Sequence, residues 1–271
     1  MLASTCLALL IAPLARGHEF WIEPSDFHPA PGALVSARVL VGEGFLGESL
    51  PRNEAHIVRF LLAGPGGETP MIGAQGREPA GAVRVATPGF QLIGYQSHAT
   101  TVTLTPDKLG VYLANEGLEP FFDGDRNQPI DDHFSRCAKA LLLAGENGDK
   151  AKGYDRQLGC PLELVPEANP FTAGRRPTFP LRLLRNGKPI AGVQVSARKQ
   201  ADPERRISAR TDAQGRVRLA LAGPGIWLVN AVYLEKVPGS SSDWQSQWAS
   251  LTFEIPATAF IRKSGPGVGT K

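Results

Sequence analysis

Histidine is the residue type in this chain with the most scope for metal chemistry, and five of the 271 residues are histidines. No two of them lie four residues apart on a convincing helical pattern, and neither HExxH nor CxxC occurs, so the common zinc signatures are absent. GxSxG is also missing, which removes the main signature of a serine hydrolase. Any metal site must therefore combine residues that are distant in the sequence: His18, His28, His56, His98 and His133.

His18 differs from the others because it follows a predicted cleavage site in the stretch APLARGHEFW. If a peptidase cuts between Gly17 and His18, the mature chain begins with a histidine that has a free α-amino group. Such an amine has a pKa of about 8 and an imidazole one of about 6.5, so a metal can displace both protons at neutral pH. The amine and Nδ1 of one residue then chelate a single ion, an arrangement called here a histidine brace. One further imidazole completes a T-shaped nitrogen site, which suits Cu²⁺ and Ni²⁺.

The third nitrogen of this metal site is predicted to come from His98 or His56. His98 ends a predicted strand in GYQSHATT, where a loop can present it, and His56 begins a predicted strand in NEAHIVRF. His28, in a turn close along the chain, and His133, beside two aspartates, are further candidates. For each of these four histidines, a solvated or hydrogen-bonded side chain is the simpler alternative. The predicted metal ligands are therefore His18, with His98 or His56.

The first seventeen residues are predicted to be a signal peptide. Residues 2–14, LASTCLALLIAPL, are apolar but shorter than the roughly 20 residues that a membrane-spanning helix needs. Ala15 and Gly17 supply the small residues that a signal peptidase accepts, although no Lys or Arg precedes the apolar run. The alternative is an ordinary buried N-terminal element. The leader predicts export to the periplasm, with no membrane insertion after cleavage.

Composition and cysteine content narrow the class of protein. Charged residues make up 20% of the chain and hydrophobic residues 42%, as in globular proteins, and the net charge of +3 comes without a basic run. Nucleic acid is therefore not an expected partner. Of the three cysteines, Cys6 leaves with the leader, and Cys137 and Cys160 remain as an even pair. We predict a disulfide that stabilises the fold by roughly 3 kcal/mol; two buried thiols or two soft metal ligands are the alternatives.

The mature chain is predicted to be all-β, with two β-sandwich domains of immunoglobulin-like or transthyretin-like type. Short runs rich in Val, Ile and Phe, bounded by Gly and Pro, predict strands in the first half. A Pro- and Gly-rich stretch at 162–179 marks the division. In the second half, Asn186 with Gly187 and the TDAQGR segment predict tight turns of a carboxypeptidase regulatory-like sandwich. The predicted divisions are a signal peptide (1–17), an N-terminal β-rich domain (18–165), a C-terminal sandwich (166–256) and a flexible tail (257–271).

One or two short helices are predicted in the first domain. Thr105 can cap a helix, Pro106 suits its first position, and Gly117 can end it, with apolar residues at helical spacing between them. The segment 133–145, HFSRCAKALLLAG, is ambiguous. Its small and apolar residues suit a helix, whereas the unbroken ALLLAG suits a buried strand.

Five segments occur in a distinctive order: HEFWIEPSDFHPAPG, LGVYLANEGLE, FSRCAKALLLAG, LELVPEANPF and RNGKPIAGVQVSA. In order and spacing they resemble the bacterial family called domain of unknown function 4198. The resemblance implies an exported, mostly β protein whose N-terminal histidine is followed by an aromatic pair, which carries over to His18, Phe20 and Trp21. Members are often described as periplasmic components of nickel or cobalt uptake systems.

Together these features predict a periplasmic protein that is not an enzyme and that binds a transition metal ion. The resemblance implies nickel or cobalt, whereas the coordination chemistry favours copper. The expected partner is a membrane transporter component or another protein that receives the metal. Two alternatives belong to other classes: a copper histidine-brace oxidase, comparable to lytic polysaccharide monooxygenases, and a non-catalytic envelope module that binds carbohydrate or protein, with His18 incidental.

Overall fold

The computed structural model describes residues 19–145, 148–240 and 242–260. The predicted signal peptide (1–17), His18 and residues 261–271 lie outside the described part. Within the described part the chain is mostly β, as predicted, with one α-helix. None of the helices in these ranges is long and apolar enough to cross a membrane.

The strands form three sheets. The first outer sheet consists of β1 (Glu19–Pro24), β2 (Leu34–Glu43), β3 (Leu46–Leu50) and β6 (Gly81–Arg84). The central sheet consists of β4 (Ile57–Gly64), β5 (Gly67–Pro70), β7 (Gly89–Ser97), β8 (Thr100–Leu104), β9 (Ile130–Ala144), β13 (Gln194–Lys199), β14 (Asp202–Arg210), β16 (Gly225–Lys236) and β17 (Asp243–Ile255). The second outer sheet consists of β10 (Leu162–Pro166), β11 (Phe179–Arg185), β12 (Lys188–Pro189) and β15 (Arg216–Leu219).

The two outer sheets cover opposite faces of the central sheet. Successive residues of a strand point to opposite faces of its sheet. The residues of β9 therefore show which outer sheet packs against each face of the central sheet. Ala140 and Leu142 belong to the core shared with the first outer sheet, whereas Leu141 and Leu143 belong to the core shared with the second. The segment 133–145, which the sequence left ambiguous, is thus a strand. Its apolar run is unbroken because both of its faces are buried.

The central sheet takes strands from both halves of the chain. Its order is β14-β13-β16-β17-β9-β7-β4-β5, with β8 also paired to β9. β17 pairs in parallel with β9, so that Ala249 lies opposite Cys137. The predicted division between 165 and 166 remains a prediction, since the largest sheet continues across it. The predicted tail from 257 begins with a 3-10 helix, Ala257–Phe260, in which Ala259 is buried.

The predicted helix and tight turns form where the sequence places them. The α-helix α1 is Pro106–Glu116, with Thr105 as its N-cap and Gly117 in the left-handed conformation at its end. Asn186 and Gly187 have φ of 47° and 74°, as a two-residue hairpin requires, and they join β11 to β12. Three further 3-10 helices are Glu54–His56, Glu119–Phe121 and Pro170–Arg175.

A buried ion pair joins β9 to the second outer sheet. Lys139 Nζ on β9 donates a hydrogen bond to Glu163 Oε1 on β10 at 2.8 Å, and the two side chains are 1% and 2% exposed. The same carboxylate accepts the backbone N–H groups of Leu158, Gly159 and Cys160. Burial lowers the pKa of Lys139, and the nearby Glu163 charge acts in the opposite direction. Four donors thus compensate the desolvation of one carboxylate.

The predicted disulfide holds the same loop. Cys137 on β9 is bonded to Cys160 across 23 residues of sequence. Because Cys160 also donates its N–H to Glu163, the disulfide and the ion pair fix the loop against β9 at adjacent points. Closing a loop of this length stabilises a fold by roughly 3 kcal/mol in the chain-entropy model.

We predict that Glu163→Gln lowers the free energy of unfolding by about 3 kcal/mol, because Lys139 then remains buried without a counter-charge. The amide keeps one acceptor oxygen, but its NH2 group replaces an oxygen that also accepts backbone N–H groups, so lost loop hydrogen bonds add to the loss of the charge. The measurement is urea unfolding at pH 7. Glu23→Gln is the matched control, since Glu23 pairs with the half-exposed Arg38 and such pairs contribute at most about 1 kcal/mol. Equal losses in the two variants would contradict the prediction.

Candidate functional site

The residue that follows His18 begins a firmly packed strand. His18 itself lies outside the described residues, and Glu19 is the first residue of β1. Phe20, Trp21 and Ile22 are all buried, so this aromatic segment is a strand packed into the fold. β1 pairs with β2 over its whole length, from Glu19 to Pro24. The chain is therefore fixed in position from Glu19 onward.

Glu19 anchors the start of β1 through its carboxylate. Oε2 accepts the backbone N–H of Phe45 at 2.5 Å, and Oε1 accepts Nε–H of Arg198 at 3.3 Å. Burial raises the pKa of Glu19, and the hydrogen bonds to Phe45 and Arg198 partly offset that effect. Its two oxygens are therefore engaged within the fold, which argues against Glu19 as a metal ligand.

Glu116, at the end of α1, belongs to a charged cluster around the start of β1. The members of this cluster are Glu19, Glu43, Glu116, Arg198 and Arg206. Its side chain is 6% exposed. Burial raises its pKa from 4.5 to about 7, with Arg206 and Arg198 lowering the pKa and Glu19 and Glu43 raising it. The start of β1 therefore lies among charges of both signs, and one of its carboxyls changes protonation near neutral pH.

A second group of side chains connects the start of β1 to the end of β7. The Arg136 guanidinium lies 4.9 Å from the ring centroid of Phe20, and the rings of Phe134 and Trp248 lie 4.6 and 5.7 Å from it. The backbone N–H of Arg136 donates to Ser97 Oγ at 2.9 Å, and Ser97 is followed by His98. Phe20 and His98 are thus linked through only two intervening residues.

His56 and His98, the two alternatives for the third ligand, are brought together by strand pairing. Ile57 of β4 lies opposite Ser97 of β7. His56 ends the 3-10 helix Glu54–His56 just before β4, and His98 directly follows β7. The backbone N–H of His98 donates to the carbonyl oxygen of His56 at 2.9 Å, and both residues are exposed. The two residues are thus neighbours in the fold.

The other two histidines are engaged elsewhere. His28 Nε2 lies 3.0 Å from Glu254 Oε2, and its ring packs edge-on against Phe171. His133 Nδ1 lies 2.8 Å from Thr101 Oγ1. Across residues 19–145, 148–240 and 242–260, no three His, Cys, Asp or Glu side chains are grouped to hold a metal ion. The described residues thus supply the pair of His56 and His98, and further ligands must come from outside that set.

The sequence did not indicate the charged cluster. It also did not indicate the contacts of Arg136 with the rings of Phe20, Phe134 and Trp248. Arg136 follows Phe134 by two residues, but its contacts with Phe20 and Trp248 join segments more than 100 residues apart. No local pattern carries that information. Trp227 and Trp244 are core residues, whereas Trp248 is partly exposed beside Arg136.

We predict that Glu116→Gln stabilises the protein above neutral pH and leaves it unchanged at low pH. Its folded-state pKa of about 7 lies above the usual 4.5, so the folded state binds the proton more tightly. Ionisation of Glu116 therefore lowers the free energy of unfolding of the wild type. This destabilisation is absent below about pH 4.5, grows as pH rises to about 7 and is then constant, on the order of 3 kcal/mol. Urea unfolding from pH 4 to pH 8.5 measures it.

The control for this experiment is Glu119→Gln, which removes an exposed carboxylate three residues further along the chain. It should change the unfolding free energy little at any pH. A stability difference between wild type and Glu116→Gln that stays constant from pH 4 to pH 8.5 would rule out the assigned titration.

Comparisons with known proteins give a family and only distant structural neighbours. The D0-D1 domain of intimin is 12% identical, with 88% of this chain and 98% of that chain covered, at a TM-score of 0.21. A tetra-tandem repeat in the extending region of a large adhesion protein is 13% identical, with 89% and 50% covered, at a TM-score of 0.23. No curated protein matches the chain.

The family comparison covers most of the chain and agrees with the order of segments described above. Residues 15–235 match the model of the family described as Domain of unknown function (DUF4198), and the chain belongs to that family.

Proposed function

We propose that this is an exported, periplasmic transition-metal-binding protein that holds nickel, cobalt or copper through His18, His56 and His98 and passes it to a membrane transporter or another partner. The observation that carries the proposal is the backbone hydrogen bond from His98, just after β7, to His56, just before β4. Two residues named as alternatives on sequence grounds are neighbours in the fold.

The chemistry around this pair favours nitrogen coordination of a borderline metal. Imidazole nitrogens suit copper and nickel, whereas calcium and magnesium prefer oxygen ligands. The nearest carboxylate along the chain, Glu54, is hydrogen-bonded to the Arg52 guanidinium. That carboxylate is therefore occupied, and the pair of His56 and His98 offers a two-nitrogen site.

The packing of β1 supports a role for the residue before Glu19. β1 lies against β9 and β17, and Thr252 Oγ1 of β17 donates to the carbonyl oxygen of Ile22 at 2.6 Å. Phe20 contacts Tyr95, three residues before His98, with ring centroids 5.3 Å apart. The strand that begins one residue after His18 is thus fixed next to β7, the strand that ends just before His98. The α-amine exists only if the chain is cut after Gly17, so the brace requires that processing step.

An exposed site with few protein ligands also suits the delivery of a metal ion to a partner. A buried site with four protein ligands releases its metal slowly, whereas an exposed pair of histidines completed by the amine and imidazole of His18 leaves coordination positions open for an acceptor. Such an intermediate complex is what transfer to a transporter requires. The family's description as nickel or cobalt uptake components is consistent with this role.

We predict that the processed protein binds Ni²⁺ or Cu²⁺ with one-to-one stoichiometry, and that His56→Ala and His98→Ala each weaken binding at least about tenfold, equal to about 1.4 kcal/mol. The reason is that each substitution removes one of the few nitrogen ligands. Isothermal titration calorimetry in a non-chelating buffer measures the affinity.

The matched control is His133→Ala, which removes a histidine already engaged by Thr101. It should bind metal as the wild type does. A variant with one alanine inserted before His18 tests the brace separately. Unchanged metal affinity in this variant would rule out the histidine brace, while His56 and His98 would remain as the proposed ligands. Unchanged affinity in His56→Ala and His98→Ala would eliminate the pair.

A further inference from the structure

A groove separate from the histidines lies between the loop after β9 and the second outer sheet. Its volume is about 280 Å³, near the lower end of small-molecule pockets. Val165, Pro166 and Leu184 give it an apolar floor, and Tyr154 lines one side. Two cavities elsewhere, beside Glu19 and beside Arg59, each offer only about 10 Å³, the space of one water.

Tyr154 is held in a defined position at the edge of the groove. Its ring packs edge-on against Phe90, with centroids 5.9 Å apart, and it contacts the core below the second outer sheet. The loop that carries it is fixed a few residues later by Cys160, through the disulfide to Cys137. The aromatic wall is therefore preorganised, which lowers the entropic cost of binding.

The opposite wall is a charged pair with fixed geometry. Glu167 Oε1 accepts a hydrogen bond from Arg182 Nη2 at 2.5 Å, and both Glu167 oxygens accept from Arg216 Nε at 3.1 and 3.0 Å. Glu167 and Arg182 both line the groove. Arg182 Nε is itself buried and not open to a ligand, whereas the Arg182 side chain as a whole is 32% exposed. The ion pair holds itself in place and leaves the guanidinium partly accessible.

Two further polar side chains line the groove. Asp155 and Gln157 are exposed and make no hydrogen bond to any residue that the structure describes. They add a carboxylate acceptor and an amide that can both donate and accept. Donors and acceptors are thus interleaved around an apolar floor. The charges of Asp155, Glu167, Arg182 and Arg216 sum to about zero, which does not favour a strongly charged ligand.

We propose that this groove binds a neutral monosaccharide-sized polyol ring. An aromatic ring can pack against the C–H face of a sugar, because it combines apolar area with a rigid shape. Sugar hydroxyls each donate and accept, so they match a wall in which guanidinium, amide and carboxylate groups alternate. The volume admits a single ring. This inference does not depend on the proposed metal site.

The test is ligand-observed saturation-transfer NMR on the full mature chain, with glucose, galactose and N-acetylglucosamine as probes. We expect saturable binding of at least one sugar, with Kd of about 1 mM or tighter. Tyr154→Ala should weaken it at least about tenfold and Tyr154→Phe by less than about threefold, because the phenyl ring keeps the apolar contact. Tyr233→Ala, a half-buried tyrosine outside the groove, is the matched control and should bind as wild type.

Gln157→Ala provides a second measurement, because the side chain is exposed and its removal leaves the fold intact even if Tyr154→Ala does not fold. We expect it to weaken sugar binding several-fold. The proposal is overturned if none of the three sugars shows saturable binding. It is also overturned if binding is the same in Gln157→Ala as in wild type, or if phosphate and citrate bind while the sugars do not.

Discussion

The burial of β9 on both faces is the constraint on which the rest of the fold depends. The strand is 15 residues long, pairs with β17 along one edge and with β8 and then β7 along the other, and contributes alternate residues to two cores. A charge in its fully buried second half, residues 137–144, has no route to water. Lys139 is therefore tolerated only because Glu163 reaches it from β10, and Glu163 in turn needs the amides of the loop ending at Cys160. Covalent, ionic and hydrogen-bonding constraints converge on one short segment of chain.

The same strand determines where the two candidate sites lie. β7 is antiparallel to β9, and where β7 ends, at Ser97, the N–H of Arg136 on β9 holds its hydroxyl oxygen. His98 therefore follows a residue that is fixed to the central strand. The loop that carries Tyr154 is fixed to β9 by the disulfide. Both sites consist of exposed side chains on short segments whose ends are rigid, an arrangement that places functional groups precisely while leaving them accessible.

Local features of the fold could be predicted from the sequence, and long-range ones could not. Thr105 and Gly117 bound a helix, and Asn186 with Gly187 forms a hairpin, because caps and turns depend on the backbone preferences of a few adjacent residues. An even pair of cysteines in a chain with a predicted export signal predicted the bond between Cys137 and Cys160. The three-layer arrangement left no local signal. An unbroken ALLLAG fits a buried helix as well as a strand, and the parallel pairing of β9 with β17 joins residues more than 100 positions apart. Lys139, an isolated charge in an apolar run, gives no indication of Glu163.

The candidate metal site also depends on long-range contacts that the sequence does not reveal. The sequence identified His56 and His98 as separate alternatives, since each sits at the end of a predicted strand. Whether they meet depends on the register of β4 against β7, and that register is shifted by an irregularity between Ile57 and Arg59. Displacing one strand by a single residue would exchange its buried and exposed sides and separate the two histidines. The buried faces of β4 and β7, in particular Phe60 against Tyr95, make such a slip unfavourable. Hydrophobic packing in the core between the first outer sheet and the central sheet thus holds His56 and His98 next to each other, although neither residue belongs to that core.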